Sequence, residues 1–284
     1  VVNKEESHSD PRPIGVFDSG LGGLTVVREL TRLMPAEDVV YLGDSARVPY
    51  GIKSLETVRR FALEDLAFLL SFDPKMIVVA CNSATAAAYE QLVQASPVEV
   101  VDVIGPGSAG AVAVTDGIIG VIGTEATVVS GAYQRAIAHL APGREVVAQA
   151  CPLLVPIVEE GRGEDDPIVL NVLHDYLRAM QRRRCGALIL GCTHYPLLDG
   201  AIGKLMGPEV KLVSSAAAAA VEATRRLRQG GLENPAGGGT LRCYTTDNAE
   251  RFAVLGERFG GRKIDHVEFV GTDELESRRV WIPE

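Results

Sequence analysis

The chain has 284 residues, 46% hydrophobic and 23% charged, with a formal net charge of −9 at pH 7. This is ordinary globular composition, and the length holds one large or two medium domains, each with a core of its own. The acidic balance argues against direct nucleic-acid binding, which needs Lys and Arg to displace counterions, and no apolar run reaches the ~20 residues that span a bilayer, so no membrane segment is expected.

Residues Val1 to Arg12 are polar and lack the apolar core of a secretory signal. They are expected to form a loose tail, residues 1–12. Short β-rich apolar runs then alternate with longer amphipathic stretches. The first series of expected strands is Ile14–Phe17, Val39–Leu42, Met76–Ala80 and Val98–Val103. The second is Ile118–Ile122, Glu145–Ala148, Ala187–Leu190 and Lys211–Val213, followed by Thr240–Thr245 and His266–Val270. Between them, Leu55, Val58, Ala62, Leu66 and Leu69 recur at helical spacing, with Ser54 as N-cap. Arg182-Arg183-Arg184 reads as a solvated helix end. Asp247 with Glu250 resembles a capping box opening a helix through Phe259. Continuous apolar strands alternating with helices predict parallel sheets covered on both faces, an α/β fold.

The two series resemble each other. Ile14-Gly15-Val16-Phe17-Asp18-Ser19 matches Ile119-Gly120-Val121-Ile122-Gly123-Thr124 in pattern, and Val78-Val79-Ala80-Cys81-Asn82-Ser83 matches Ile189-Leu190-Gly191-Cys192-Thr193-His194. The expected architecture is therefore two pseudo-symmetric parallel-sheet α/β domains with the active site in the cleft between them. Residues 13–105 form the first and residues 106–214 the second, crossing near Ile104-Gly105-Pro106-Gly107. Residues 215–284 return to complete the first.

Five cysteines, an odd number without any Cys-x-x-Cys, give neither a disulfide framework nor a structural zinc site. A reducing, cytoplasmic setting is expected. Cys151, Cys185 and Cys243 read as small buried hydrophobes. Cys81 and Cys192 differ, because each follows a strand where a helix begins. A helix start is expected to lower a thiol from its usual ~8.5. The thiolate is then a base and the thiol an acid. Two such groups at equivalent places in facing halves suit racemisation, in which one removes the α-proton and the other returns a proton to the opposite face.

Asn82, Ser83 and Thr85 follow the first cysteine, and Thr193 and His194 the second, so that both helix starts suit a carboxylate. His194 would hold Cys192 as thiolate, steady a carbanion or cap the helix. Asp18 suits an ammonium group or assists Cys81. Its loop is a poor dinucleotide motif, since Thr25 takes the place of the third glycine. Pro49-Tyr50-Gly51 follows another strand as a turn. Glu159 or Glu160 would reach Cys192 or lie on the surface. None of the six lysines sits at a strand end, which argues against a pyridoxal cofactor.

Together these residues resemble the glutamate racemases of the aspartate/glutamate racemase superfamily, from about Pro13 to at least Val213. The carrying segments are Val16 to Gly23, Gly43-Asp44 with Pro49-Tyr50-Gly51, Ala80 to Ala84, and Gly191-Cys192-Thr193-His194-Tyr195-Pro196. The resemblance implies interconversion of L- and D-glutamate with no cofactor or metal, supplying D-glutamate for bacterial peptidoglycan. It implies Cys81 and Cys192 as the proton donors and acceptors, assisted by Asp18, Glu159 and His194. Asp18, Ser19, Pro49, Tyr50, Gly51, Asn82, Ser83, Thr85, Thr193 and His194 would line the substrate. A homodimer and a contact with DNA gyrase are also implied. Two departures stand out: Ser83 where threonine is common, and Ala217 where many members carry an acid. The alternatives are an aspartate or other amino-acid racemase of the same superfamily, or a non-catalytic gyrase-binding protein; the intact cysteines argue against the latter.

Overall fold

Strands buried on both faces must be apolar throughout and need covered crossovers, so such runs pair in parallel. A computed structural model describes residues 9–278. It opens with β1 (Ile14–Asp18), α1 (Leu24–Leu33), β2 (Val39–Gly43), α2 (Leu55–Leu70), β3 (Met76–Val79), α3 (Asn82–Ala95) and β4 (Glu99–Asp102). The second series begins with α4 (Ile104–Val114), β5 (Ile119–Gly123), α5 (Glu125–Ser130), α6 (Ala132–Leu140) and β6 (Val146–Ala150). It continues through α7 (Leu154–Glu159), α8 (Pro167–Arg183), β7 (Ala187–Gly191), α9 (Asp199–Met206) and β8 (Lys211–Ser214). The return runs through α10 (Ser215–Gly230), β9 (Leu241–Thr245), α11 (Ala249–Gly260), β10 (Val267–Phe269) and α12 (Thr272–Ser277). Each expected strand appears within two residues of its expected bounds.

The strands form two parallel sheets, ordered β10-β9-β2-β1-β3-β4 and β6-β5-β7-β8. The run β2-β1-β3-β4 repeats as β6-β5-β7-β8, so β1 corresponds to β5 and β3 to β7. In each, the chain leaves the first strand of the series toward one edge and returns on its other side. The crevice at such a reversal, beyond the strand carboxyl ends, is where α/β sheets bind ligands. Asp18 and Cys81 stand at one reversal, Gly123 and Cys192 at the other.

One apolar core covers the inner face of the larger sheet and continues into the second half; another fills the space between that sheet, α2 and α3. Helix α10 packs on α1 and α4 and buries Ala216, Ala219, Ala220 and Ala223, small residues that let helices approach closely. Its N-cap is Ser214, whose hydroxyl accepts from Ala217 N at 3.2 Å, so α10 is capped with alanine at 217.

Two expectations change. Residues 9–12 are not loose, because they help to satisfy a buried lysine. Lys75 Nζ donates to the carbonyls of Asp10 (2.8 Å) and Leu232 (2.7 Å) and pairs with Glu37 at 2.6 Å, while Ser9 bonds Asn234. Residues 1–8 of the expected tail lie outside the described residues. The crossing at Ile104–Gly107 falls in the first turn of α4. Asp102 Oδ1 accepts from Ile104 N (2.6 Å) and Gly105 N (2.8 Å), and Pro106 sits where a helix has a free N–H to forgo. Finally, Asn248 and not Asp247 caps α11, accepting from Arg251 N at 2.9 Å. Asn and Asp cap equally well, and the N–H of Asp247 already turns back to Thr245.

Candidate active site

At the first reversal Asp18 ends β1 with 1% of its surface exposed. Its Oδ2 accepts from Gly20 N at 3.2 Å, while its Oδ1 has no partner. Cys81 is the N-cap of α3, its Sγ accepting from Ala84 N at 3.4 Å. In the next residues, Asn82 Oδ1 accepts from the Tyr133 hydroxyl at 2.7 Å. Asn82 Nδ2 and Thr85 Oγ1 are buried without partners. Buried polar atoms without partners are rare, and several around one thiol make a place for a polar ligand.

At the second reversal Cys192 Sγ lies 4.0 Å from His194 Nδ1, and His194 Nε2 lies 3.0 Å from Glu159 Oε1. Thr193 Oγ1 is 3.5 Å from the same Nδ1.

The two reversals face each other across one cleft. Ser83 Oγ meets Thr124 Oγ1 at 2.9 Å, and Thr25 Oγ1 donates to Thr193 O at 3.0 Å. The loop after β1 fits so closely that a Cβ on Gly22 would fall 2.1 Å from Thr193 Oγ1 and 2.6 Å from His194 Nδ1. A Cβ on Gly51 would fall 2.6 Å from Thr124 Cβ.

Burial controls the electrostatics. It pushes the Cys81 thiol up to about 12; the Asp18 charge adds to this, while hydrogen bonds from Ala84 and Ser19 oppose it. Cys192 is likewise pushed up by burial, opposed by the His194 backbone N–H and aided by the charges of Asp18 and Cys81. The expected lowering at a helix start is therefore overturned: desolvation of the thiolate outweighs the helix-end hydrogen bonds. Asp18 is also raised by burial, against the attraction of His194. Protein groups alone keep both thiols protonated at neutral pH, and a cation entering the cleft would lower them.

The Asp/Glu/Hydantoin racemase family profile matches residues 14–223. The chain belongs to that family. Among relatives in the Asp/Glu/Hydantoin racemase family, it is 46% identical to the glutamate racemase of Syntrophus aciditrophicus, over 94% of this chain and 98% of that one. It is 48% identical to the glutamate racemase of Thermus thermophilus, over 94% and 99%. Among solved structures it resembles the glutamate racemase of Francisella tularensis in complex with D-glutamate. That match has a TM-score of 0.87 and 38% identity, covering 93% of this chain and 99% of that one.

Within this racemase fold the residues singled out from sequence divide into two groups. Asp18, Ser19, Cys81, Asn82, Ser83, Thr193, His194, Cys192 and Glu159 come together at the paired reversals, whereas Thr85 lines a separate cavity with Asp102 and Arg135. Glu160 instead pairs with Arg162 on the surface, at 3.4 Å. Pro49 and Gly51, together with Val48, Thr124 and Glu159, line a cavity of about 330 Å³ at the mouth of the cleft. Tyr50 departs from expectation. Its side chain turns into the first core, where the hydroxyl bonds Asp44 and, at 2.9 Å, Asp65. Arg47 joins the same group through Asp44 (2.7 Å), Asp65 (3.3 Å) and Glu64. Only the Tyr50 backbone is left for a ligand. Cys151, Cys185 and Cys243 are buried free thiols. Among the described residues no group of three His, Cys, Asp or Glu side chains is arranged to hold a metal.

Sequence reasoning missed Thr124 and Tyr133. The signal for Thr124 was present, since the internal match aligns it with Ser19. Tyr133 reaches Asn82 from a helix of the other half, and no local pattern marks it.

Proposed function

We propose that this protein is a glutamate racemase that interconverts L- and D-glutamate by a two-thiol acid/base mechanism. The observation that carries this reading is the placing of Cys81 and Cys192 at corresponding strand ends around one cleft with unpartnered polar atoms. The ammonium group of the substrate pairs with Asp18 Oδ1, and its charge brings the thiols toward ionisation. The carboxylates take Asn82 Nδ2, the hydroxyls of Ser83 and Thr124, and backbone N–H groups at the helix starts. One thiolate then removes the α-hydrogen, leaving a carbanion beside the carboxylate. The opposite thiol donates its proton to the other face. The product departs with the two protonation states exchanged, and the next turnover of the other enantiomer restores them.

Glutamate, rather than aspartate, is the substrate because the relatives at 46–48% identity are named glutamate racemases and the Francisella relative holds D-glutamate. In this reading the protein supplies D-glutamate for peptidoglycan in the cytoplasm and works as a homodimer, with DNA gyrase as a further contact. Light scattering tests the dimer, and gyrase pull-down tests the contact.

The deciding assay is circular dichroism of L-glutamate with the protein and no added cofactor. Decay of the signal to zero supports the proposal. Decay with aspartate alone moves the reading to an aspartate racemase. Inertness toward both leaves the non-catalytic gyrase-binding alternative.

A further inference from the structure

Helix α11 belongs to the return segment and packs on α1, β9 and β10, within the six-stranded half. Its last turn nevertheless reaches the other half. Arg258 Nη1 donates to Val158 O at 2.8 Å, and Nη2 donates to Arg162 O at 2.6 Å. These carbonyls lie at and just past the end of α7, and Val158 immediately precedes Glu159. Val158 O already accepts from Gly161 N at 3.0 Å, so the guanidinium is its second donor, and the partial negative charge at a helix end favours a cation there. The next residue, Phe259, is 1% exposed and meets His194 edge-on, with ring centroids 5.1 Å apart and planes at 77°. That geometry suits two rings in contact and limits rotation of the imidazole. Two consecutive residues therefore hold both members of one functional pair. Arg258 fixes the helix end that carries Glu159, and Phe259 seats His194. Asp18, on the Cys81 side, is instead fixed by the end of its own strand.

We propose that the last turn of α11 is the positioning element for the Cys192 side of the site, with Arg258 and Phe259 acting through Glu159 and His194. This rests on the racemase reading above. It makes the acid/base competence of one thiol depend on a contact between the two halves. Losing that contact lets Glu159 drift from His194, and Cys192 then transfers its proton more slowly while Cys81 is untouched.

The test compares wild type, Arg258→Ala and Phe259→Leu with α-deuterated L- and D-glutamate. A racemase must lose kcat/KM equally in both directions, so isotope effects and not rates report which thiol is impaired. The expected result is a kcat about tenfold lower with KM within about twofold. The isotope effect on kcat/KM should rise for the enantiomer whose α-hydrogen passes to Cys192 and fall for the other. Glu159→Gln assigns that enantiomer, because it should shift the two effects in the same opposed sense. The Arg258→Ala/Glu159→Gln double variant should be little worse than its poorer parent. Isotope effects that stay at wild-type values or move together overturn the proposal, as does full multiplication of the two losses. Should Arg258→Ala not fold, Arg258→Lys is read by the same criteria. An inactive wild type would refute the racemase reading itself, whereas an active wild type with unmoved isotope effects in the variants refutes only this inference.

Discussion

His194 stands between Cys192 and Glu159, with Nδ1 4.0 Å from Sγ and Nε2 3.0 Å from Oε1. A carboxylate accepting from Nε2–H leaves Nδ1 to face the thiol, so Glu159 selects the tautomer that exchanges a proton with Cys192. His194→Asn should therefore lower kcat by about 10²-fold, the usual range for a proton-transfer group, with a smaller change in KM. Glu159→Gln should lose less, because Gln still offers an acceptor to Nε2. Steady-state circular dichroism in both directions checks this, and a His194→Asn enzyme within about twofold of wild type contradicts it.

Burial sets the resting state of the thiols. With Cys81 pushed up to about 12, its thiolate fraction grows tenfold per pH unit throughout the neutral and mildly alkaline range. Alkylation of Cys81 by iodoacetamide, followed by mass spectrometry, should accelerate without a plateau from about pH 7 to about pH 9.5. A plateau below about pH 9 would mean that an unrecognised cation holds the thiolate.

Gly22 is set against the Cys192 loop without room for a methyl group. Gly22→Ala should displace Thr193 or His194 and lower kcat about tenfold or more. Gly203→Ala is the control. Its Cβ would meet only Leu212, at 3.6 Å, inside α9, so activity should persist and stability rise by about 0.5–1 kcal/mol. Equal activity in the two variants would contradict the tight fit.

The core beneath the Pro49–Gly51 turn holds an unusual carboxyl group. Burial pushes Asp65 well above the ordinary carboxylate range and the Asp44 charge adds to this, against the pull of Arg47. A protonated Asp65 donates to the Tyr50 hydroxyl, which donates to Asp44, while Arg47 bonds the other Asp65 oxygen. Asparagine reproduces that pattern, so Asp65→Asn should fold normally, whereas Asp65→Ala should cost about 1–3 kcal/mol. The pH sign follows from the raised value. The stabilisation is full below ~3.9, where the unfolded chain is also protonated, and is lost as pH rises toward the folded value. Urea titrations should show Asp65→Asn gaining on wild type as pH rises above ~3.9. A constant difference would mean that Asp65 is ionised in the fold.

Much of this was legible in the sequence. The central strands β1, β2, β3, β5 and β7 are visible because strands buried on both faces leave no polar alternation to blur them. The internal repeat placed Cys81 and Cys192 at matching strand ends. Thiol acidity was not legible, because desolvation depends on everything packed around Sγ, whereas the helix start is local. Tyr50 looked like a substrate group because Asp65, which claims its hydroxyl, lies a helix away. Choosing Glu159 over Glu160 needed the exact turn at the end of α7. Arg258 and Phe259 had no motif, since their partners lie about a hundred and about sixty-five positions away.

The two-thiol account is tested most directly by incubating L- and D-glutamate in deuterium oxide with wild type, Cys81→Ser and Cys192→Ser, following optical signal and Cα–H resonance together. Wild type should lose the Cα–H resonance as the optical signal decays, and neither single variant should complete racemisation. Full turnover by either variant, or racemisation that leaves the Cα–H resonance intact, would contradict it.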